Sequence, residues 1–355
     1  LSTDLRVALI GFGLGGRAFH APLIAAARGL HLSTIVTSNP ERQAEAARAF
    51  PAARVVDSPD QVWANPKAHD LVVITTPNRY HVPLARAAVA AGIPVVVDKP
   101  MAATAREARD LVAEAAKAGV PLAAYHNRRW DGELLTARKL IESGALGDIF
   151  RFESRLDRWR PGKVPDVWRE GGAPEDAGGV LFDLGPHLID QARLLFGPVT
   201  RLYSELGRRR PGALVEDDVF IALTHASGVQ SHLWASSVAA QAGPRMRVMG
   251  SVAAYTKQNA DVQEAVLRAG GAADSPGFGE DPEEQWGRVG AGADARAIKT
   301  EKGNYVGFYE LTVPWLRGGG AAPVDAMDAV AVLEVIEGAR ESVARRKVIE
   351  FATPL

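Results

Sequence analysis

The first third of the chain alternates two hydrophobic patterns. Short, continuous apolar runs recur between Leu5 and Tyr125: "LRVALIG", "LSTIV", "ARVV", "LVVITT", "PVVVD" and "VPLAAY". Between them lie amphipathic, alanine-rich stretches such as "RAFHAPLIAAAR", "PERQAEAARAF" and "TAREARDLVAEAAKAG". Runs that are short, β-branched and apolar at successive positions predict parallel strands covered on both faces. Their alternation with helices predicts right-handed crossovers and a doubly wound α/β sheet over residues 1–125. Ser58 and Thr104 stand at helix starts, and Gly92 and Gly119 stop helices ahead of the next strand.

After Tyr125 the rhythm changes. A helix is predicted over "DGELLTARKLIESG", and "GDIFRFESRLDRWR" reads as a half-buried strand with Phe150, Phe152 and Leu156 inward. "VTRLYSEL", "EDDVFIALTHASGVQSHLWA" and "RMRVMGSVAAY" add strands, the second folded about a Ser-Gly hairpin turn. Residues 126–355 are therefore expected to form an α+β domain, with a mostly antiparallel open sheet and helices on one face. Residues 270–304, rich in glycine and charge, are expected to form a long surface loop. "VLFDLGPHLIDQARLLFG" is predicted to be one helix, with Val180, Leu184, Leu188, Leu194 and Leu195 among its apolar positions. Residues 324–346 show strong helical periodicity and read as scaffold.

Composition narrows the function classes. The 355 residues suffice for two domains, and 47% hydrophobic with 23% charged residues is the balance of a globular protein. A formal net charge of -1 leaves no electrostatic footprint for nucleic acid or an anionic membrane. Cysteine is absent, which excludes disulfides and thiolate chemistry. The amino-terminal residues enter a strand pattern without a charged, apolar and small-residue series before it, and no apolar run reaches membrane-spanning length. A cytoplasmic setting is expected.

Within the α/β frame, "GFGLGG" places Gly11, Gly13, Leu14 and Gly16 at the junction of the first strand and first helix. In G-x-G-x-x-G the first glycine permits the tight turn, the second admits a pyrophosphate close to backbone, and the third lets helix and strand approach. The end of the second strand, where NAD-binding folds usually carry an acid, reads "IVTSNPER". Thr37 and Ser38 with Arg42 suit a 2′-phosphate, so NADP is favoured and NAD is the alternative. The loops "TTPNRYH" (Thr76, Pro77, Asn78, His81) and "DKPMA" (Asp98, Lys99) follow the fourth and fifth strands, where ligands of open sheets bind. Asp183 and His187 lie four residues apart. On one helix they would share a face, and the acid would orient the imidazole for proton transfer. A structural pair is the other reading. The metal reading lacks further ligands at suitable spacing, since His225 and His232 lie far along a hairpin, and no metal is expected.

Four segments taken together resemble the Gfo/Idh/MocA oxidoreductases: "ALIGFGLGGRAFH", "TTPNRYHVPLARAAVAAGIPVVVDKPMA", "YHNRRWDGELLTARKLIESGALGDI" and "AGGVLFDLGPHLIDQARLLFG". That family includes glucose–fructose oxidoreductase and inositol dehydrogenases. "YHNRRWD" and "RWRPGKVPDVWREGG" look most similar to its NADP-dependent scyllo-inositol dehydrogenase branch. The resemblance implies a Rossmann domain, then an α/β domain whose open sheet makes a dimer or tetramer interface. It puts the family's catalytic lysine on Lys99, its aspartate on Asp183 and its histidine on His187, and implies a cis bond before Pro100. Where the family has Glu-Lys-Pro this chain has Asp98-Lys99-Pro100, and Asn39 stands where the branch tends to carry a basic residue.

The expected activity is hydride transfer between nicotinamide and a secondary alcohol or ketone of a polyol or sugar, such as an inositol. His126, Asn127 and Arg128, following the last strand of the first domain, are candidate substrate-binding residues, with Arg160, Trp168, Lys99 and His187. Trp159 and Arg169 complete two aromatic–guanidinium pairs. Alternatives are a reductase of another carbonyl compound and a non-catalytic NAD(P)-binding regulator.

Overall fold

The computed structural model describes residues 4–162 and 168–355, so part of the "RWRPGKVPDVWREGG" segment lies outside the described residues. The chain divides into two compact units.

The first unit comprises residues 1–127, 263–278 and 304–330. Its sheet contains β1 (Leu5–Ile10), β2 (Leu30–Val36), β3 (Arg54–Val56), β4 (Leu71–Ile74), β5 (Val95–Asp98) and β6 (Leu122–Tyr125). All pairings are parallel, in the order β3-β2-β1-β4-β5-β6. This is the dinucleotide-fold order, with the topological switch between β1 and β4. The apolar runs form its core: Val7 to Ile10, Leu71 to Ile74 and Val95 to Val97 are each at most 2% exposed. Local signals work as read. Thr104 Oγ1 accepts from the Glu107 amide to cap the helix Ala105–Ala118, which ends on Gly119 at φ +66°.

Two later segments return to this unit, which differs from the expectation of one domain over 126–355. The helix Tyr305–Leu316 packs against Ala21–Ala26, with Val313 against the backbone at Gly29. Its mean composition is apolar, and burial of Phe308 and Tyr309 among first-unit aromatics draws it there.

The second unit comprises residues 128–262, 279–303 and 331–355. Its nine strands are β7 (Ile149–Asp157), β8 (Val199–Gly207), β9 (Asp218–His225), β10 (Gln230–Ser236), β11 (Met246–Gly250), β12 (Ala254–Lys257), β13 (Gly287–Gly290), β14 (Arg296–Ile298) and β15 (Ile349–Glu350). They run in the order β14-β13-β12-β11-β7-β10-β9-β8-β15. Among the described residues only the β7–β10 pair is parallel. The long loop expected over 270–304 thus contains β13 and β14. These strands are short and glycine- or charge-bearing, which hides them from a periodicity argument. Phe152 and Leu156 are buried as read, but Phe150, near the start of β7, is 51% exposed.

One face of this sheet is covered by the helix Gly185–Phe196 and the later turns of Ala326–Arg345. Phe196 packs on Phe152 at 5.3 Å between ring centroids, and Ser204 of β8 donates to the Ala339 carbonyl. The opposite face carries a half-exposed aromatic cluster. Phe220 lies 5.2 Å from Trp234 and 5.9 Å from His232, and the Arg155 guanidinium sits 3.8 Å over the Trp234 ring. Among the described residues no helix is long and apolar enough to cross a membrane.

Candidate active site

In the first unit, the glycine turn is built by close contacts. Gly11 has φ +105°, and a side chain there would press on the Thr75 carbonyl. A Cβ at Gly16 would overlap the Gly11 carbonyl oxygen, so the turn and the helical segment behind it could not approach as they do. At Gly13 a Cβ would meet only an Arg42 guanidinium nitrogen, at 3.9 Å. Backbone is therefore open to a ligand at Gly13, and Arg42 reaches over the same turn. Leu14 is 41% exposed, Thr37 is buried and Ser38 is exposed. Asn39 caps the next helix by accepting from the Arg42 amide at 3.0 Å, which places Arg42 in its first turn.

The β4 and β5 loops meet beside this turn. Thr75 Oγ1 donates to Asp98 Oδ2 at 3.2 Å, and the Lys99 amide donates to Asp98 Oδ1 at 2.7 Å. The Lys99–Pro100 bond is cis, as the resemblance implies. Asn78 is buried, and the buried Thr76 Oγ1 has no hydrogen-bond partner among the described residues. An orphaned hydroxyl beside an open glycine turn is what a polar ligand would complete. The residues present fit a dinucleotide.

Sequence reasoning missed what stands behind Asp98. His20 is fully buried, with Nε2 3.4 Å from Asp98 Oδ2 and Nδ1 hydrogen-bonded to the Tyr309 hydroxyl. Tyr125 lies against the His20 ring and donates to the Phe19 carbonyl at 3.1 Å. Burial pushes the Asp98 carboxyl upward. The His20 hydrogen bond and the charges of His20, Lys99 and His81 outweigh it and hold the acid well below the usual carboxylate range. The Tyr125 and Tyr309 hydroxyls are pushed well above the ordinary phenol range, first by burial. The one available signal was a histidine in an otherwise apolar stretch, "RAFHAPLIA". His126 and Asn127, at the end of this unit's main segment, are both buried.

In the second unit, the expected single helix over 180–197 is two: Val180–Asp183 and Gly185–Phe196. Pro186 has no amide to give the Phe182 carbonyl, so the first helix stops and Pro186 starts the second. Asp183 ends the first and His187, 7% exposed, lies in the opening turn of the second. The same-face spacing argument for one helix does not apply to them. Instead Asp183 lies between two guanidinium groups: Arg158 Nη1 is 3.5 Å from Oδ2, and Arg169 Nε is 3.6 Å from Oδ1. Arg158 follows β7. Arg169 belongs to the turn Trp168–Glu170, where it stacks on Trp168 at 4.2 Å. That turn is anchored by Glu170, paired with Arg210 at 2.9 Å, and by the Gly179 amide on the Arg169 carbonyl at 2.8 Å. Trp159 and Arg160 are exposed. Arg128 is buried, with Nη1 3.3 Å from Asp131 Oδ2. Leu194, read as an apolar helix position, is 38% exposed.

Comparison with known proteins follows the same division. The NAD-binding Rossmann model of an oxidoreductase family matches residues 5–126, and the GFO/IDH/MocA C-terminal domain matches 134–256. The chain belongs to the Gfo/Idh/MocA oxidoreductase family. As a member it is an NAD-binding oxidoreductase. The uncharacterized oxidoreductase YdgJ of Escherichia coli K12 is 39% identical, covering 99% of this chain and 100% of that protein. The scyllo-inositol 2-dehydrogenase (NADP(+)) IolW of Bacillus subtilis 168 is 35% identical, covering 97% and 95%. A solved oxidoreductase structure from Bacillus subtilis, yvaA, superposes with a TM-score of 0.90 at 35% identity, covering 98% and 99%.

Proposed function

We propose that this family member is an NADP-preferring dehydrogenase of a cyclic polyol or sugar of the inositol class. The observation that carries the reading is similarity along nearly the whole chain to a scyllo-inositol 2-dehydrogenase (NADP(+)), with the Lys99-Pro100 loop and the Asp183–His187 segment both present. When bound, the nicotinamide supplies the hydride acceptor in oxidation and the donor in reduction. The glycine turn holds the pyrophosphate, Thr37, Ser38 and Arg42 the adenosine ribose side, and Thr76, Pro77, Asn78, Asp98 and Lys99 the nicotinamide side. His187 Nε2 or Nδ1 takes the substrate hydroxyl proton. Asp183, flanked by Arg158 and Arg169, favours the protonated imidazole, and the Lys99 ammonium donates to the oxygen as its negative charge grows. His126, Asn127, Arg160 and Trp168 meet the remaining hydroxyls. The test is turnover of inositols, aldoses and keto-sugars, followed by nicotinamide absorbance. Cofactor binding without turnover across the panel would refute it.

Arg42 decides the cofactor choice on this reading. Arg42→Ala should weaken NADP roughly ten- to a hundredfold, the loss of a charge-assisted hydrogen bond. NAD should change less than about threefold, since it has no 2′-phosphate to lose. Equal loss for both cofactors, measured by fluorescence titration, would contradict this role.

The open face of the nine-stranded sheet is proposed as the contact between copies in a homodimer or homotetramer. A half-exposed Phe220–Trp234–His232 cluster is the composition of an interface core. Trp234→Glu should lower the assembly mass in light scattering to that of one chain, 37.8 kDa. An unchanged mass would place the interface elsewhere.

A further inference from the structure

His81 opens the helix His81–Ala90 and is 1% exposed. Its Nδ1 lies 2.9 Å from the Pro100 carbonyl oxygen and its Nε2 lies 2.8 Å from the Thr76 carbonyl oxygen. A carbonyl oxygen only accepts, and a neutral imidazole has one N–H to give. Either neutral tautomer would turn a nitrogen lone pair on a carbonyl lone pair at a side chain that solvent barely reaches. We propose that His81 is an imidazolium donating from both ring nitrogens, a positioning residue that ties the cofactor-side loop after β4 to the loop carrying Lys99.

A buried cation needs a counter-charge, the more so in the first turn of a helix, where the backbone dipole opposes it. Asp98 supplies it. Its carboxylate is held ionised, with the His81 charge among the causes, and its own bonds run to Thr75 and to the Lys99 amide. The two loops are thus bridged twice, through Asp98 to Thr75 and through His81 between Thr76 and Pro100. The bridges bracket Lys99 in sequence: Asp98 precedes it and Pro100 follows. Displacement of either loop would move Lys99 relative to the glycine turn. The sequence pattern makes His81 a candidate cofactor contact; in the structure both its ring nitrogens are committed to the protein.

The consequence for catalysis rests on the proposed function, whereas the protonation state does not. Neutron diffraction from deuterated wild-type crystals at neutral pD should show deuterium on both His81 nitrogens, and a bare nitrogen on either side would overturn the assignment. His81→Asn leaves one donor nitrogen where there were two and puts an accepting carbonyl oxygen in place of the other. Amide exchange should then accelerate in 75–78 and 99–102 together, and unchanged exchange in either segment would refute the bridge. In turnover assays kcat should fall roughly 10–100-fold, the scale of a small misplacement of a reacting group. The cofactor Kd should rise by a smaller factor than kcat falls, because the residue itself makes no cofactor contact on this assignment and acts only through the loosened 75–78 loop. An equal loss in Kd and none in kcat would return His81 to the role of a cofactor contact. If the asparagine variant does not fold, the wild-type neutron map decides. A wild type with both nitrogens deuterated but no polyol turnover would uphold His81 and sink the proposed function. Turnover with one nitrogen bare would do the reverse.

Discussion

Replacing His187 by Asn should lower kcat by roughly 10²–10⁴-fold, the usual contribution of a positioned general base. The variant keeps a polar group in the opening turn of Gly185–Phe196, so the fold and cofactor binding should survive. Lys99→Met should give a loss of the same order by removing the charge that stabilises the developing oxyanion. Asp183→Asn should cost less than His187→Asn, since it removes a group acting on the base. It also removes the negative charge that Arg158 and Arg169 flank at 3.5 and 3.6 Å. Steady-state rates with the preferred polyol, alongside cofactor Kd values, are the measurement. Losses below tenfold in all three variants would end the proposed mechanism.

The second large effect concerns stability. At the start of the helix Gly132–Glu142, the buried Arg245 has Nε 3.0 Å from Glu133 Oε1 and Nη2 3.5 Å from Asp131 Oδ2. It also donates to Ser154 and Gln191. Arg245→Met takes the guanidinium from Glu133 and one of its charged neighbours from Asp131, which keeps Arg128 at 3.3 Å, and should cost about 3–5 kcal/mol in urea unfolding above pH 8, the usual result of breaking a buried pair from one side. Glu133 is pushed up to about 8, by burial first and then by Asp131, with Arg245 pulling the other way. The folded state therefore holds a proton that the unfolded chain releases above its ordinary pKa. Glu133's contribution is whole below that ordinary value and is lost as pH rises toward 8. Glu133→Gln removes this dependence. Relative to wild type it should gain up to about 4 kcal/mol between pH 5 and pH 8, a proton held against one pH unit being worth about 1.4 kcal/mol. A difference that stays flat across that range would show the acid to be ionised in the folded protein.

The apolar runs of the first unit were legible because parallel strands are buried on both faces and need no partner information to be recognised. Gly11, Gly16 and Lys99 were legible because turn and loop chemistry is local. The Asp98–His20–Tyr309 chain was not, since Tyr309 lies 289 positions after His20 and nothing in either neighbourhood names the other. Pro186 was visible but was read inside one helix, although a residue without an amide marks where one helix must yield to another. The arginines at Asp183 were beyond reach for the same reason as Tyr309: ion pairs made across a fold leave no periodic trace. β13 and β14 escaped because three or four residues of mixed polarity carry too little pattern.

Completion of the dinucleotide unit is deferred to late in synthesis. A ribosome that has released residues 1–127 has made every strand of the parallel sheet, yet the partner of His20 and the apolar cover over Tyr125 arrive only with Phe308 and Tyr309. Until then the His20 imidazole and the Tyr125 ring stand open to solvent or to chaperones. A genetic boundary placed at residue 127 would sever a core, not a linker.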